Sequence, residues 1–371
     1  MRVLVTTFPA KGHFHPVAPL ALALGRAGHD VRVATGADLL PWVQGCGLTV
    51  MSAGRSEKEL VAAAGALSQA ERPIRLFTTI AVPAFATDVL ASTGSWRPDL
   101  VVNEEGEFGG PLIASVLGVP SATHSWPAPA QPTEARAALR SALDDVWQSF
   151  GQPGPARIYG EHYLDCCPPP LQTTEIDTIA GVMAVRPSLF DGPPMVAPTW
   201  LDDLVPPVVF VTLGTVPLFA RPESLRLIVE SVRSMAGTVV VATGPSPAAA
   251  MPTHPNVRVV RYLPLSAILP KADLVISHGG ASTTVACLLH GTRHLVVPQG
   301  APSQRRMATS VAALGVGRAL DDQCLDAATL TSAAAEILGD ANILARIDAV
   351  RTAIDDLPGP DSTARYLVDL L

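Results

Sequence analysis

The spacing of apolar and polar positions predicts that strands and helices alternate along the first third of the chain. Short apolar runs rich in β-branched residues predict strands, and apolar positions that recur at helical spacing predict helices. The strands are predicted at residues 2–8, 29–35, 48–52, 99–103 and 120–123. The helices are predicted at residues 16–28, 38–46 and 109–118, with Pro16 in a first turn and Gly28 at a helix end.

A second alternation of the same kind begins at residue 208. Strands are predicted at residues 208–213, 238–242, 257–261 and 272–276, and helices at residues 223–236, 327–338, 343–356 and 362–371. The segment between the two alternations, residues 168–207, is rich in proline and aspartate, which is typical of a linker. Because alternating strands and helices favour a parallel sheet, we expect an α/β protein with two doubly wound, Rossmann-like domains.

Two segments of the first domain fit neither pattern cleanly. Residues 54–98 and 126–165 are long and apolar, and their pattern favours loops. Their large apolar side chains are candidates for the wall of a pocket that binds an apolar small molecule, and ordinary core packing is the alternative for each of them. These side chains are Leu76, Phe77, Ile80, Val82, Phe85, Trp126, Trp147 and Phe150.

Composition limits the classes of function. The chain has 371 residues, a length that suits two domains. Hydrophobic residues make up 48% of the chain and charged residues 16%, so a large core can form. The net charge of −7 at pH 7 argues against a nucleic-acid-binding surface, and no basic run suited to anionic lipid is present.

The sequence also favours a cytoplasmic protein without a metal site. No apolar stretch reaches the roughly 20 residues of a membrane span. Met1 leads directly into a predicted strand, so we expect neither a signal peptide nor a membrane partner. The cysteines are odd in number and lack metal-ligand spacing, which is typical of a reducing compartment. They are Cys46, Cys166, Cys167, Cys287 and Cys324.

The strongest functional signal lies just after the predicted strand at residues 272–276. This strand leads to His278-Gly279-Gly280, and a helix is predicted to begin at Ala281 or Ser282. The first turn of a helix has N–H groups without internal partners, and paired glycines let another group approach the backbone closely. Together with the hydroxyls of Ser282 and Thr283, these groups favour an anion site suited to a diphosphate. An ordinary strand-to-helix turn with a capping serine is the alternative.

The run His278-Gly-Gly-x-x-Thr283, followed by Gly291 and Pro298-Gln299, resembles the signature of nucleotide-sugar glycosyltransferases with the GT-B fold. The similarity is closest to the bacterial enzymes that glycosylate antibiotics and other natural products, and it spans nearly the whole chain. It implies two Rossmann-like domains that face each other across a cleft. Residues 1–190 would bind the acceptor and residues 206–355 the nucleotide sugar, and a last helix at residues 356–371 would pack back on the first domain.

The resemblance places a general base at His13. The run Gly12-His13-Phe14-His15-Pro16 matches the Gly-His-x-x-Pro pattern of the family, whose histidine deprotonates the acceptor, so the role falls to His13 and not to His15. A neutral imidazole suits this reaction near pH 7, and a helix-entry residue is the alternative. Family members often place an Asp where the strand here ends at Glu104. Glu104 is therefore the candidate for orienting His13, and a surface acidic run with Glu105 and Glu107 is the alternative.

The other donor-binding residues are likewise implied by the resemblance. Thr212-Leu213-Gly214-Thr215 resembles the family's phosphate-facing loop, and Tyr262-Leu263-Pro264 resembles the segment that cradles the base. Gln299, Ser303 and Gln304 fall in the run where relatives hold sugar hydroxyls.

Two departures from the family concern the donor. Ala286 stands where many relatives have an acid for the ribose hydroxyls, and the run Pro302-Ser303-Gln304 lacks the Asp with which relatives hold sugar hydroxyls. Both favour a dTDP-linked deoxysugar over UDP-glucose, because an acid that faces a sugar without the matching hydroxyl would be an unpaired buried charge.

These features predict a glycosyltransferase that moves a deoxysugar from a dTDP-linked donor to a hydroxyl-type group of an apolar natural product such as a polyketide. No cofactor or metal ion is expected besides the donor substrate. A catalytically silent GT-B-fold protein that activates a partner glycosyltransferase is the main alternative. A nucleotide-sugar epimerase of the same fold is a second one, and the Gly-His-x-x-Pro run argues against it. The acceptor, the exact sugar and the oligomeric state stay open, with a homodimer among the alternatives.

Overall fold

The computed structural model describes residues 1–65, 67–68, 71–215, 221–321 and 325–370. The chain divides into two compact units. The first comprises Met1–Cys167, Thr173–Pro194 and the segment from Leu357 onward, and the second comprises Pro168–Gln172 and Met195–Asp356. Two residues named in the sequence expectations, Cys324 and Leu371, lie outside the described residues.

A seven-stranded parallel sheet forms the centre of the first unit. Its strands are β1 (Arg2–Thr6), β2 (Asp30–Thr35), β3 (Thr49–Ser52), β4 (Leu100–Glu104), β5 (Ser121–His124), β6 (His162–Asp165) and β7 (Val182–Ala184). They lie in the order β3-β2-β1-β4-β5-β6-β7. Val3 on the central strand β1 pairs with Val31 of β2 and with Leu100 of β4. Strand β4 is buried along its whole length, as expected of a parallel strand covered on both faces.

The second unit has a six-stranded parallel sheet. Its strands are β8 (Val208–Thr212), β9 (Thr238–Ala242), β10 (Val257–Val260), β11 (Leu274–Ser277), β12 (Arg293–Val296) and β13 (Gly317–Ala319). They lie in the order β10-β9-β8-β11-β12-β13. Ile276 of β11 pairs with Val211 of β8 and with Leu295 of β12. The two doubly wound, Rossmann-like domains predicted from the alternating pattern are therefore confirmed.

Helices connect the strands in both units. They are α1 (Lys11–Arg26), α2 (Leu40–Gly45), α3 (Glu57–Ala64), α4 (Arg72–Arg75), α5 (Val82–Ser92), α6 (Gly109–Leu117), α7 (Thr133–Ser149), α8 (Pro222–Val232), α9 (Leu265–Ile268), α10 (Ala281–His290), α11 (Pro302–Leu314), α12 (Ala327–Gly339), α13 (Asn342–Asp355) and α14 (Pro360–Asp369). A π-helical segment, Leu76–Ile80, joins α4 to α5. Short 3₁₀ turns occur at Pro169–Leu171, Thr174–Thr178, Thr199–Asp203, Ala248–Ala250 and Leu269–Lys271.

Helix α1 begins at Lys11, so the prediction that it starts near Pro16 is wrong. Pro16 and Pro19 both lie inside the helix, although a proline there removes a backbone hydrogen bond. The helix persists because its apolar face, which includes the fully buried Phe14, packs into the core of the first unit. As a result, His13 lies in the first turn of the helix, whereas the helix predicted from the sequence begins after it.

The two segments that the sequence pattern assigns to loops are largely helical. Residues 54–98 contain α3, α4, the π-helical segment and α5, and residues 126–165 contain α7 and β6. The change to π-helical geometry disturbs the regular spacing of apolar residues, which is the signal on which a helix prediction depends. Strands β6 and β7 have only four and three residues, too few for a recognisable alternation.

One described helix has the length and composition of a membrane span, which the sequence analysis did not predict. The continuous helix Arg72–Ser92 has 21 residues and is apolar enough to meet a test of length and composition. About a third of its most apolar stretch is buried, and Val82, Phe85 and Val89 belong to a core cluster of the first unit. A core helix of a folded domain passes the same test.

The last helix, α14, belongs to the first unit and packs against α1. Ala364 and Leu367 of α14 share a buried cluster with Leu20 and Leu24 of α1. At the surface of the same contact, Arg26 Nη2 lies 2.7 Å from Asp361 Oδ1. Burial of apolar side chains supplies most of the stabilisation here, since exposed ion pairs contribute little.

Candidate active site

In each sheet, the candidate residues lie at the point where the order of the strands along the chain changes direction. In the first unit the reversal lies between β1 and β4, which are hydrogen-bonded neighbours. His13 follows β1, and Glu104 is the last residue of β4. In the second unit the reversal lies between β8 and β11, and Gly214 and His278 follow these two strands. The carboxyl ends of strands at such switch points are where doubly wound sheets bind ligands.

The side chains of His13 and Glu104 are in direct contact. Nδ1 of His13 lies 2.8 Å from Oε1 of Glu104. The Glu104 side chain is fully buried, whereas 15% of the His13 side chain is exposed. Glu104 is therefore inside the protein, whereas part of the His13 side chain is accessible to solvent.

Glu104 accepts hydrogen bonds on both carboxylate oxygens. Oε1 accepts from Phe8 N at 3.2 Å as well as from His13, and Oε2 accepts from Gly106 N at 2.7 Å and Trp126 Nε1 at 2.8 Å. An ionised carboxylate can only accept, and its neighbours here are all able to donate. The contact with His13 then requires the proton on Nδ1, which leaves the lone pair on Nε2.

Three aromatic rings surround the imidazole of His13. The ring centroids of Phe8, Trp126 and Phe77 lie 4.9, 5.0 and 5.5 Å from that of His13. Phe8 and Phe77 also line a pocket beside the imidazole, together with Leu60, Phe85 and other residues. Of the eight side chains suggested by the sequence for an acceptor pocket, Phe77 and Trp126 lie against His13. Leu76, Val82, Phe85 and Trp147 are buried in apolar clusters of the same unit.

His15 is placed differently from His13. Its ring stacks on Trp42, with centroids 6.0 Å apart, and Phe14 and Phe190 enclose it further. Nε2 of His15 accepts a hydrogen bond from Trp42 Nε1 at 3.2 Å. Burial is the largest influence on its pKa, which it lowers to about 4. His15 therefore has a structural partner on the nitrogen that a base would need.

The acidic residues after β4 are all buried, so the alternative of a surface acidic run is wrong. Glu105 accepts from Trp126 N at 3.1 Å and from the Tyr159 hydroxyl at 3.3 Å. Glu107 accepts from the N–H groups of Gly109 and Gly110 at the start of α6, and from the Thr6 hydroxyl. Burial raises the pKa of Glu105 and of Glu107 to about 7.

In the second unit, two glycines make room for the ring of His278. A Cβ on Gly214 would lie 2.7 Å from Cε1 of His278, and a Cβ on Gly280 would lie 2.6 Å from the same atom. Gly214 also has a φ of +89°, which favours glycine. Nδ1 of His278 is buried without a hydrogen-bond partner among the described residues, and burial lowers the pKa of its imidazole to about 4.

Helix α10 begins directly after this histidine. Its N-cap is Gly280, which offers no side chain to its first turn, and Thr284 N is the first to bond back, to Gly280 O at 2.9 Å. Ser282 and Thr283 lie in that first turn and are partly exposed. The N–H of Gly279 points inward, since it donates to Ser277 Oγ at 3.1 Å. Free donors for an anion therefore come from the helix turn and not from Gly279.

The other residues expected to contact the donor fall into two groups. Thr212 and Tyr262 are partly exposed and Thr215 is exposed, so their side chains have access to solvent, whereas Leu263 is buried and could offer only its backbone. Ala286 is 1% exposed, so its side chain offers nothing to a ribose.

The loop from Pro298 to Gln304 is held by hydrogen bonds of its own amide side chains. Gln299 and Gln304 are buried. Oε1 of Gln304 accepts from Gln299 N at 2.7 Å, and Nε2 of Gln299 donates to the carbonyls of Val297 and Pro298. These amide groups hold the loop together, Oε1 of Gln299 is buried without a hydrogen-bond partner among the described residues, and contact of the two side chains with a sugar stays a prediction. Ser303 is exposed at the start of α11.

Family models match both halves of the chain. The N-terminal domain model of the erythromycin biosynthesis protein CIII-like family matches residues 22–214, and its C-terminal domain model matches residues 226–370. The chain belongs to this family. The glycosyltransferase resemblance given by the His278 run is thereby confirmed, and the protein is a glycosyltransferase.

Relatives and solved structures agree with the family. The chain is 33% identical over 356 residues to L-demethylnoviosyl transferase of Streptomyces niveus, an alignment that covers 92% of this chain and 90% of the relative. Its structure is similar to that of the glycosyltransferase SnogD from Streptomyces nogalater, with a TM-score of 0.84, 28% identity and 100% of both chains covered. It is also similar to spinosyn rhamnosyltransferase SpnG complexed with thymidine diphosphate, with a TM-score of 0.85, 26% identity, and 99% of this chain and 100% of that chain covered.

In this family member, the roles of two residues near the site could not be predicted from the sequence. Trp126 is a pocket-wall candidate in the sequence, and the structure shows its indole N–H on Glu104. Gly106 is also unexpected, since a Cβ there would lie 2.5 Å from Trp126 Cζ2 and 2.9 Å from His13 Cε1. A glycine directly after two acidic residues is a signal that could have indicated a close approach.

Proposed function

We propose that this glycosyltransferase transfers a deoxysugar from a dTDP-linked donor to a hydroxyl of an apolar natural product, with His13 as the general base. The observation that carries the proposal is the 2.8 Å contact between His13 Nδ1 and Glu104 Oε1. In this proposal the proton lies on Nδ1, between His13 and Glu104, and Nε2 is the basic atom.

In the proposed reaction, Nε2 of His13 accepts the proton of the acceptor hydroxyl as its oxygen attacks the anomeric carbon. A carbon–oxygen bond forms to the acceptor, and the bond from the same carbon to the diphosphate breaks. The carboxylate of Glu104 stabilises the imidazolium that forms, as a carboxylate does beside other catalytic histidines. Base catalysis of this kind contributes about 10²–10⁴-fold to a rate.

The proposal assigns the diphosphate to the first turn of α10. The free N–H groups there, the positive end of the helix dipole and the hydroxyls of Ser282 and Thr283 suit a negative group. The imidazole of His278 adds a hydrogen-bonding group beside them, held between Gly214 and Gly280. No metal ion has a role in this proposal, and transfer should continue in excess chelator.

The proposed dTDP-deoxysugar rests on two features. Ala286 is buried and has no polar group for a ribose 2′-hydroxyl, and the run Pro302-Ser303-Gln304 has no carboxylate to pair with sugar hydroxyls. Each charge-assisted hydrogen bond that is missing would be worth about 1.5–3 kcal/mol of discrimination. The complex of SpnG with thymidine diphosphate supports the same nucleotide.

The proposed acceptor is apolar because the base lies among aromatic rings. Phe8, Phe77 and Trp126 surround His13, and the neighbouring pocket is lined mainly by apolar residues. Such a surface gains free energy by covering an apolar molecule, whereas a polar acceptor would lose hydration without compensation.

Competition between donors tests the proposal. The enzyme is incubated with a panel of polyketide and phenolic acceptors and an equimolar mixture of a dTDP-deoxysugar and UDP-glucose. The products are then distinguished by their masses. We expect the deoxysugar product to exceed the glucoside at least 10-fold, the ratio that about 1.4 kcal/mol of discrimination gives. Equal use of UDP-glucose would contradict the donor assignment. Tighter calorimetric binding of UDP than of dTDP would contradict the nucleotide.

A further inference from the structure

We propose that Trp126 is a positioning residue for the His13–Glu104 pair, holding the carboxylate with its indole N–H and the imidazole with its ring. This inference rests on the proposed function, because it assumes that His13 acts as the base. It assigns to Trp126 the orientation of His13 and Glu104, and not the proton transfer itself.

The first observation is the hydrogen bond to the carboxylate. Trp126 Nε1 donates to Glu104 Oε2 at 2.8 Å, and His13 Nδ1 lies 2.8 Å from Glu104 Oε1. The two rings therefore bind opposite oxygens of one buried carboxylate. Gly106 N shares Oε2 with the indole, and side-chain and backbone donors on both oxygens together fix the plane of the carboxylate.

The second observation is the packing of the two rings. The indole and the imidazole meet edge to face, with centroids 5.0 Å apart and an interplanar angle of 89°. Gly106 allows this approach, because a Cβ there would lie within 3 Å of both rings, at 2.5 Å from Trp126 Cζ2 and 2.9 Å from His13 Cε1. Because Gly106 has no side chain, the two rings can pack against each other there.

The third observation is that the backbone of Trp126 is also held. Trp126 N donates to Glu105 Oε2 at 3.1 Å, and Glu105 is buried. The indole is therefore anchored at both ends, by Glu105 at its backbone and by Glu104 at its N–H. Two anchors reduce the conformations open to a partly exposed tryptophan, so the residue can act as a fixed wall for the imidazole.

Trp147, another tryptophan of the first unit, lacks such a role. It is buried in a core cluster of the same unit, and its Nε1 has no hydrogen-bond partner among the described residues. It does not belong to the ring contacts of His13 that the structure describes. Trp147→Phe therefore provides a matched control for Trp126→Phe, since both changes remove one indole N–H and one ring.

Loss of the indole N–H should alter how transfer depends on pH. With one donor fewer, more of the negative charge of Glu104 faces the Nδ1–H of His13, which favours the imidazolium, and Glu104 itself takes up a proton more readily. Both effects move the acid limb of kcat/KM to higher pH. The charged and titratable groups that also act on this pair include Glu57, Glu105, Glu107 and His124, and both variants retain all of them.

The first experiment compares the pH profiles of kcat/KM for wild type, Trp126→Phe, Trp147→Phe and His13→Ala. We expect Trp126→Phe to lose about 10-fold at neutral pH, the factor for one hydrogen bond to a charged group, and to shift the acid limb upward. Trp147→Phe should keep the wild-type profile. A Trp126→Phe profile that matches wild type, while His13→Ala is inactive, would overturn the positioning role alone. Activity in His13→Ala would instead overturn the proposed function.

The second experiment does not depend on turnover. The chain has five tryptophans, so ¹⁵N-labelled protein should give a small set of indole N–H signals, with those of Trp126 and Trp147 assigned by their loss in the two variants. Glu104→Gln replaces a charged acceptor with a neutral one. We expect it to move the Trp126 signal and leave the Trp147 signal in place. An unchanged Trp126 signal would overturn the proposal even if Trp126→Phe failed to fold.

Discussion

The indole N–H of Trp42 donates to Nε2 of His15 at 3.2 Å, which gives the second histidine of the Gly12-His13-Phe14-His15 run a structural partner. His13, only two residues earlier in α1, instead lies beside the Glu104 carboxylate. Residues two apart on a helix point in different directions. One short run thus provides a structural histidine and a candidate base.

His15→Phe should reduce stability and spare catalysis. The phenyl ring can keep the stacking with Trp42 but cannot accept its N–H, so the partly buried indole loses this acceptor at a cost of about 1–3 kcal/mol. Urea unfolding measures this loss, and transfer assays of the folded variant should stay within a few-fold of wild type. Loss of transfer comparable to that of a His13 variant would show that His15 takes part in the chemistry.

Gly280→Ala should weaken binding of the nucleoside diphosphate. The φ of Gly280 is −62°, so alanine meets no backbone strain there, but its Cβ would lie 2.6 Å from His278 Cε1. The ring must move, and we expect dTDP affinity measured by calorimetry to fall about 10-fold, equivalent to about 1.4 kcal/mol. Gly339→Ala is the control, because no atom lies within 4 Å of the new Cβ. Equal affinities in the two variants would contradict a role for His278 in binding.

Glu105→Gln should change how stability depends on pH. Burial raises the pKa of Glu105 from 4.5 to about 7 in the folded protein. Its contribution to stability is therefore fully present below pH 4.5 and is lost as the pH rises through about 7, a change of about 3 kcal/mol. Glutamine does not titrate, so the difference in unfolding free energy between variant and wild type should increase in the variant's favour from pH 4.5 to pH 8.

The exposed Glu134, at the start of α7, provides the control for this measurement. Glu134→Gln should give a difference in unfolding free energy that varies little with pH. A difference for Glu105→Gln that is equally flat would mean that Glu105 is ionised throughout the range.

Much of the fold could be predicted from local sequence pattern. The predicted runs at residues 2–8 and 208–213 form the central strands of the two sheets because buried parallel strands are continuously apolar. The helical segment Arg72–Ser92 could not be predicted in this way, because its π-helical turn at Leu76–Ile80 interrupts regular spacing. The start of α1 was placed too late because Pro16 is typical of a first turn, and tertiary packing overrides that preference.

The candidate site could be predicted only where one motif contains its residues. His13 and His278 lie in short recognisable runs, and Glu104 could be proposed because it ends a strand. The contact of Glu104 with Trp126 joins residues 22 positions apart, and no local pattern encodes it. The amide hydrogen bonds of Gln299 and Gln304 are equally hidden, because the sequence does not show which way a loop side chain points.

The most direct test of the account is a single-turnover measurement of sugar transfer by His13→Ala at saturating donor and acceptor. His13→Gln is a second variant, whose side chain fills more of the space of the imidazole than alanine does. With binding saturated, the rate reports the chemical step, and loss of the base should reduce it about 10²–10⁴-fold. Wild-type affinity for dTDP in calorimetry should confirm that the second unit is intact. A rate within a few-fold of wild type would contradict the assignment of His13 as the base.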